Sequence, residues 1–123
     1  MEITDAEFEV MEAMWQGAPA TARELYQRLH SRKSWQEKTV RSLISRLVKK
    51  GALSFEKADR GYLYSPCIER GEYQLKQGRS ILDRLFEGRV SLFFSGFASK
   101  GELKRDDIEE LKELIRNWEQ ENE

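Results

Sequence analysis

Apolar residues in the first fifty positions recur at helical spacing, in three separate blocks. Phe8, Met11, Met14 and Trp15 form the first, behind Thr4-Asp5-Ala6-Glu7, whose hydroxyl and carboxylate three residues apart make a capping box. Gly17-Ala18-Pro19 stops that helix. A second capping box, Thr21-Ala22-Arg23-Glu24, places Ala22, Leu25 and Leu29 on one face of a helix that fades between Ser31 and Ser34. From about Gln36 to Lys50, Val40, Leu43, Ile44, Leu47 and Val48 fall at i, i+3, i+4, i+7 and i+8, and Gly51 supplies the stop.

The period then changes to two. Leu53 to Lys57 alternates, Asp59-Arg60-Gly61 signals a turn, and Tyr62 to Ser65 alternates again, which predicts a β-hairpin. Beyond Pro66 three more amphipathic stretches follow. Glu69 to about Glu87 carries Tyr73, Ile81, Leu82, Leu85 and Phe86, Val90 to Phe97 is short and aromatic, and Arg105 to about Gln120 keeps five apolar residues in register.

The order predicts a mainly α fold with a small β-hairpin. A winged helix-turn-helix domain over residues 1–68 precedes a C-terminal helical dimerisation domain over residues 69–123. Three apolar faces on so short a tail exceed what it can bury alone, and a symmetric second copy is the simplest cover. The expected homodimer interface comprises Leu82, Leu85, Phe93, Phe97, Ile108, Leu111, Leu114, Ile115 and Trp118.

Composition narrows the class. The 123 residues are 39% hydrophobic and 35% charged, with two prolines and no low-complexity tract, as in a folded, soluble chain. The acidic N-terminus is unlike a secretory signal, and Val90 to Phe97 is too short to span a bilayer, so a cytoplasmic protein with no membrane partner is expected. One cysteine, Cys67, and one histidine, His30, leave no ligand set for a metal, and no cofactor is expected. Cys67 reads as a packed small apolar residue at a strand end.

The net charge of −1 hides an asymmetry that changes the picture. Between Arg23 and Arg60, eleven Lys/Arg face four acids, a local balance of +7; from Glu69 onward ten basic and thirteen acidic residues give −3. A basic region confined to the helix-turn-helix is an electrostatic footprint for a polyanion. An α-helix fits the major groove of duplex DNA, where base edges are distinguishable, and the second helix of the motif enters it.

Lys38, Ser42, Ser45 and Lys49 lie opposite the apolar stripe of the third helix, flanked by Arg41 and Arg46. Thr39 and Arg41 are the candidates for base contact, Lys49 and Lys50 for phosphate. Lys57, Arg60 and Tyr62 on the hairpin would meet the flanking backbone. A Lys/Ser face is also what any solvated helix presents, so a winged-helix protein-interaction module without DNA binding is the alternative. A regulator with a small-molecule pocket lined by Phe93, Phe94 and Phe97 is another. An enzyme is not expected: one His and one Cys build no nucleophile–base pair, and no phosphate-binding fingerprint occurs.

Several segments carry a resemblance. Ile3 to Phe8 with Val10-Met11 and Met14-Trp15, Trp35 to Val40, Leu43 to Gly51, Gly61 to Pro66, and Leu103 with Asp107 to Leu111 resemble the BlaI/MecI/CopY family of repressors over essentially the whole chain. The resemblance implies a homodimeric repressor whose tail dimerises and whose winged helices read a palindromic operator, often with TACA/TGTA half-sites. In antibiotic-responsive members it implies a membrane-bound sensor metalloprotease whose signal leads to repressor cleavage at an Asn-Phe pair. The matching residues here are Gly96-Phe97, so the asparagine is missing. Copper-responsive members use C-terminal cysteine pairs, which this chain lacks.

Overall fold

The computed structural model describes residues 2–59 and 61–123; Arg60, expected at the hairpin tip, lies outside them. The element order is α1 (Asp5–Trp15), α2 (Ala22–His30), α3 (Glu37–Lys50), β1 (Leu53–Ala58), β2 (Gly61–Pro66), α4 (Arg70–Phe86), α5 (Val90–Ser99) and α6 (Arg105–Glu121). This is the mainly α architecture with one hairpin that the apolar periods predict. Two compact units divide it, Met1–Lys76 and Gln77–Glu123.

In the first unit both capping boxes form. Thr4 accepts from the Glu7 amide while the Glu7 carboxylate accepts from the Thr4 amide, and Thr21 and Glu24 repeat the exchange at α2. Each cap satisfies two amides that the first helical turn would leave without partners. At the other end of α1, Arg28 Nη1 donates to the carbonyls of Ala13 and Gly17, at 2.9 and 2.8 Å. A Cβ at Gly17 would stand 3.3 Å from that guanidinium, so glycine leaves room for the arginine that closes the helix.

The core is built from one stripe of each helix. Val10, Met11, Ala13 and Met14 meet Leu25 and Leu29 of α2 and Val40, Leu43, Ile44 and Leu47 of α3, all buried. Burial of each large side chain is worth about 1.5–3 kcal/mol, so this stripe fixes which face of α3 is left outside. Gly51 ends α3 in the left-handed region (φ 84°), its amide returning to the carbonyls of Leu47 and Val48. Leu53 then enters the core and starts the hairpin.

β1 and β2 are antiparallel, with Leu53 opposite Pro66, Phe55 opposite Tyr64 and Lys57 opposite Tyr62. Ala20 adds an isolated bridge to Tyr64, which ties the α1–α2 connection to the wing. The first turns of α4 also belong to this unit. Tyr73 is buried against Phe8 and Trp15, Trp15 Nε1 donates to the Ile68 carbonyl at 3.0 Å, and Arg70 pairs with Glu12 at 2.9 Å. Cys67 is exposed rather than packed, because it follows the last strand residue and its side chain has left the core.

The second unit holds the end of α4 with α5 and α6. Phe93 packs edge-on between Phe86 and Phe97, with ring centroids 5.4 and 5.0 Å apart. Leu82, Ile108 and Leu111 are half-buried, while Leu85, Leu114, Ile115 and Trp118 stay more than half exposed. Neither α5 nor α6 buries a residue fully. Among the described residues no helix is long and apolar enough to cross a membrane.

Candidate nucleic-acid interface

Burial of the α3 stripe turns the other side of the helix outward. Lys38, Thr39, Arg41, Ser42, Ser45, Arg46 and Lys49 are all exposed. They do not form one uniform strip. Lys38, Thr39, Ser42 and Arg46 rim a shallow concavity whose apolar floor is Trp35, Leu43 and Ala6. Arg41 faces a different cleft, shared with Arg23 and Thr21 of the α2 start and with Tyr62 and Tyr64 of β2.

A carboxylate organises that second cleft. Glu37, the first residue of α3, accepts from Arg41 Nε at 3.1 Å and Arg41 Nη2 at 2.8 Å on one oxygen. Its other oxygen accepts from Arg23 Nη1, and the Arg23 guanidinium lies over the Tyr26 ring at 5.4 Å. The Arg41 guanidinium beside Glu37, and Arg23 with it, hold this carboxyl below its ordinary value. The Glu37–Arg41 pair was available from its i, i+4 spacing. The Arg23 contact was not, because it joins two elements whose packing the local pattern does not encode.

The far end of α3 is tied differently. Lys50 Nζ donates to Glu7 Oε1 at 2.5 Å and to the Glu2 carbonyl at 2.8 Å. The phosphate role expected for Lys50 therefore gives way, since its ammonium is turned back onto α1. Glu7 is fully buried. Burial pushes its carboxyl up, but the hydrogen bonds from Lys50 and the Thr4 amide together outweigh that and hold it below its ordinary value. Lys49, one residue earlier, is exposed.

On the wing, Lys57 and Tyr62 are exposed and directly opposite each other. Phe55, half-exposed, packs edge-on against Tyr62 with centroids 5.1 Å apart. Strand alternation places Phe55 on the same face as Lys57, the one local signal that marks it as part of the wing surface. Of the residues expected to mark a cleavage site, Gly96 and Phe97 lie inside α5, with Phe97 packed on Phe93.

The family described as "Penicillinase repressor" matches residues 3–117. The chain is 31% identical over 114 residues to the methicillin resistance regulatory protein MecI of Staphylococcus aureus, covering 93% of each. It is equally identical, over 114 residues, to the penicillinase repressor of Bacillus licheniformis, covering 93% of this chain and 89% of that one. These names are those of regulators, not enzymes. Among solved structures it is similar to monomeric Bacillus licheniformis BlaI in complex with the blaP half-operator, at 36% identity and a TM-score of 0.52, covering 59% of this chain and 89% of that one. A mutant MarR from E. coli, at 22% identity and a TM-score of 0.52 over 94% of this chain and 77% of that one, shares the fold.

Proposed function

The chain belongs to the penicillinase repressor family of DNA-binding transcriptional repressors, and from that premise we propose that it acts as a cytoplasmic homodimer on a palindromic operator. The observation that carries the reading is the division of α3: a fully buried apolar stripe on one side, and on the other short hydroxyls interleaved with cations. Thr39, Ser42 and Ser45 permit close approach to base edges, while Lys38, Arg41 and Arg46 reach guanine edges or phosphates. Lys49, Lys57, Tyr62 and Arg60 would hold the flanking backbone.

In this reading residues 1–68 read DNA and residues 69–123 join two copies, the first turns of α4 packing on the first unit through Tyr73. Two linked modules would place two α3 helices in successive major grooves, and neither alone would bind as tightly. Leu82, Leu85, Phe93, Phe97, Ile108, Leu111, Leu114, Ile115 and Trp118 would be covered by the second copy. Release by a sensor protease acting at Gly96-Phe97 would require α5 to unwind locally, because both residues are helical.

The test is selection of bound fragments from genomic DNA by the purified protein, followed by titration of the recovered duplex at several salt concentrations. An inverted repeat bound by two chains, with affinity falling as salt rises, is expected. Indifference to every duplex at low ionic strength would overturn the reading and favour a protein-interaction module.

A further inference from the structure

We infer that Glu37 is a specificity-positioning residue: its carboxylate holds the Arg41 guanidinium from the side, leaving the outward fork of that arginine aimed for a guanine edge. The inference rests on the proposed reading of duplex DNA by α3.

A carboxylate on a surface that meets phosphates is repelled by them, so its presence within a segment of +7 balance needs a reason. Both Glu37 oxygens are occupied. One takes Nε and Nη2 of Arg41, the other takes Arg23 from α2. A guanidinium carries five N–H donors, and side-on engagement uses one from Nε and one from Nη2. The remaining donors include the end-on pair from Nη1 and Nη2, which matches the two acceptors of a guanine in the major groove.

An unrestrained exposed arginine would have to be ordered when DNA arrives, at a cost in side-chain entropy. Here the guanidinium is ordered beforehand. Arg23 supplies the charge that keeps the carboxylate tolerable beside DNA, and its seat over Tyr26 keeps it in place. Glu37 also complements the dipole at the start of α3. That purely structural role predicts a change in stability with no change in base preference.

The experiment compares Glu37→Gln, Glu37→Asp, Arg41→Ala and the Glu37→Gln/Arg41→Ala pair on the recovered operator, on duplexes carrying single base-pair changes, and on an unrelated duplex, with melting curves to verify folding. Glu37→Gln should bind the unrelated duplex more tightly, having lost a negative charge. At the one base pair whose preference Arg41→Ala relaxes, it should lose about five- to tenfold of discrimination, part of what a good bidentate contact supplies. In the Arg41→Ala background it should have no further effect there. Glu37→Asp, which keeps the charge but withdraws the carboxylate, should lose the same discrimination without gaining unrelated binding. Wild-type discrimination in folded Glu37→Gln and Glu37→Asp, an equal loss at every base pair, or no base pair relaxed by Arg41→Ala overturns the role of Glu37 while leaving the repressor reading standing. A wild-type protein that binds no duplex overturns that reading, and this inference with it.

Discussion

Lys50 and Glu7, forty-three residues apart, form an ion pair of 2.5 Å that joins the last turn of α3 to the first turn of α1. The carboxylate is fully buried and its second oxygen has no hydrogen-bond partner among the described residues, so Lys50 supplies most of the compensation for a charge held out of water. Lys50→Met should therefore lower stability by about 1–3 kcal/mol, below the range for a fully buried pair because the lysine side chain is one-third exposed. Thermal or urea unfolding measures it. The salt slope of DNA binding should be unchanged, since the ammonium faces Glu7; a slope reduced by a full unit would return Lys50 to the phosphate contacts.

The same pair makes stability depend on pH. Glu7 titrates below its ordinary value of 4.5 in the folded chain. The folded state thus binds its proton less readily than the unfolded state, and the contribution is fully present above that ordinary value. It is lost as pH falls through the lower, folded value. Melting temperature should drop on acidification below about pH 4.5. Glu7→Gln should be less stable at neutral pH and should show a smaller drop; an identical pH profile in both proteins would remove Glu7 as the cause.

Much of the exposed α3 face proposed to meet DNA was legible because local signals coincide. At α1 and α2 the capping boxes and the apolar period begin together, and at α3 the period and Gly51 agree on one face and one end. What was not legible depends on elements meeting across space. Glu37 and Arg23 lie on different helices, Glu7 and Lys50 stand forty-three residues apart in sequence, and Tyr73 packs beside Phe8 and Trp15 although Pro66 suggests that a new domain has already begun. Cys67 was misplaced for a related reason: apolar character predicts burial only while the strand that carries it stays against the core.

Lys49 and Arg41 are expected to report different parts of recognition. Lys49→Ala should weaken specific and unrelated duplexes alike and reduce the salt slope by about one unit, as loss of one phosphate contact does. Arg41→Ala should cost roughly 1–3 kcal/mol on the operator and relax preference at one position. Titrations against salt with matched and mismatched duplexes separate the two. A strongly sequence-selective loss from Lys49→Ala would reverse the assignment.

The tail offers a test of self-association that leaves the single chain intact. Leu111 is half-buried among the residues of its own unit, lining a concavity with Phe93 and Phe97, so a charge there would confound folding with assembly. Ile115 and Trp118 are 56% and 63% exposed on α6, where a substituted aspartate would remain in water if no partner covered it. In a dimer the same aspartate would lie inside the apolar interface without a partner charge, at a cost of several kcal/mol. Ile115→Asp and Trp118→Asp should thus give folded monomers by sedimentation equilibrium, with helical content retained and operator affinity reduced because only single half-sites are held. Dimers that persist in both variants would place the contact between copies elsewhere on the chain.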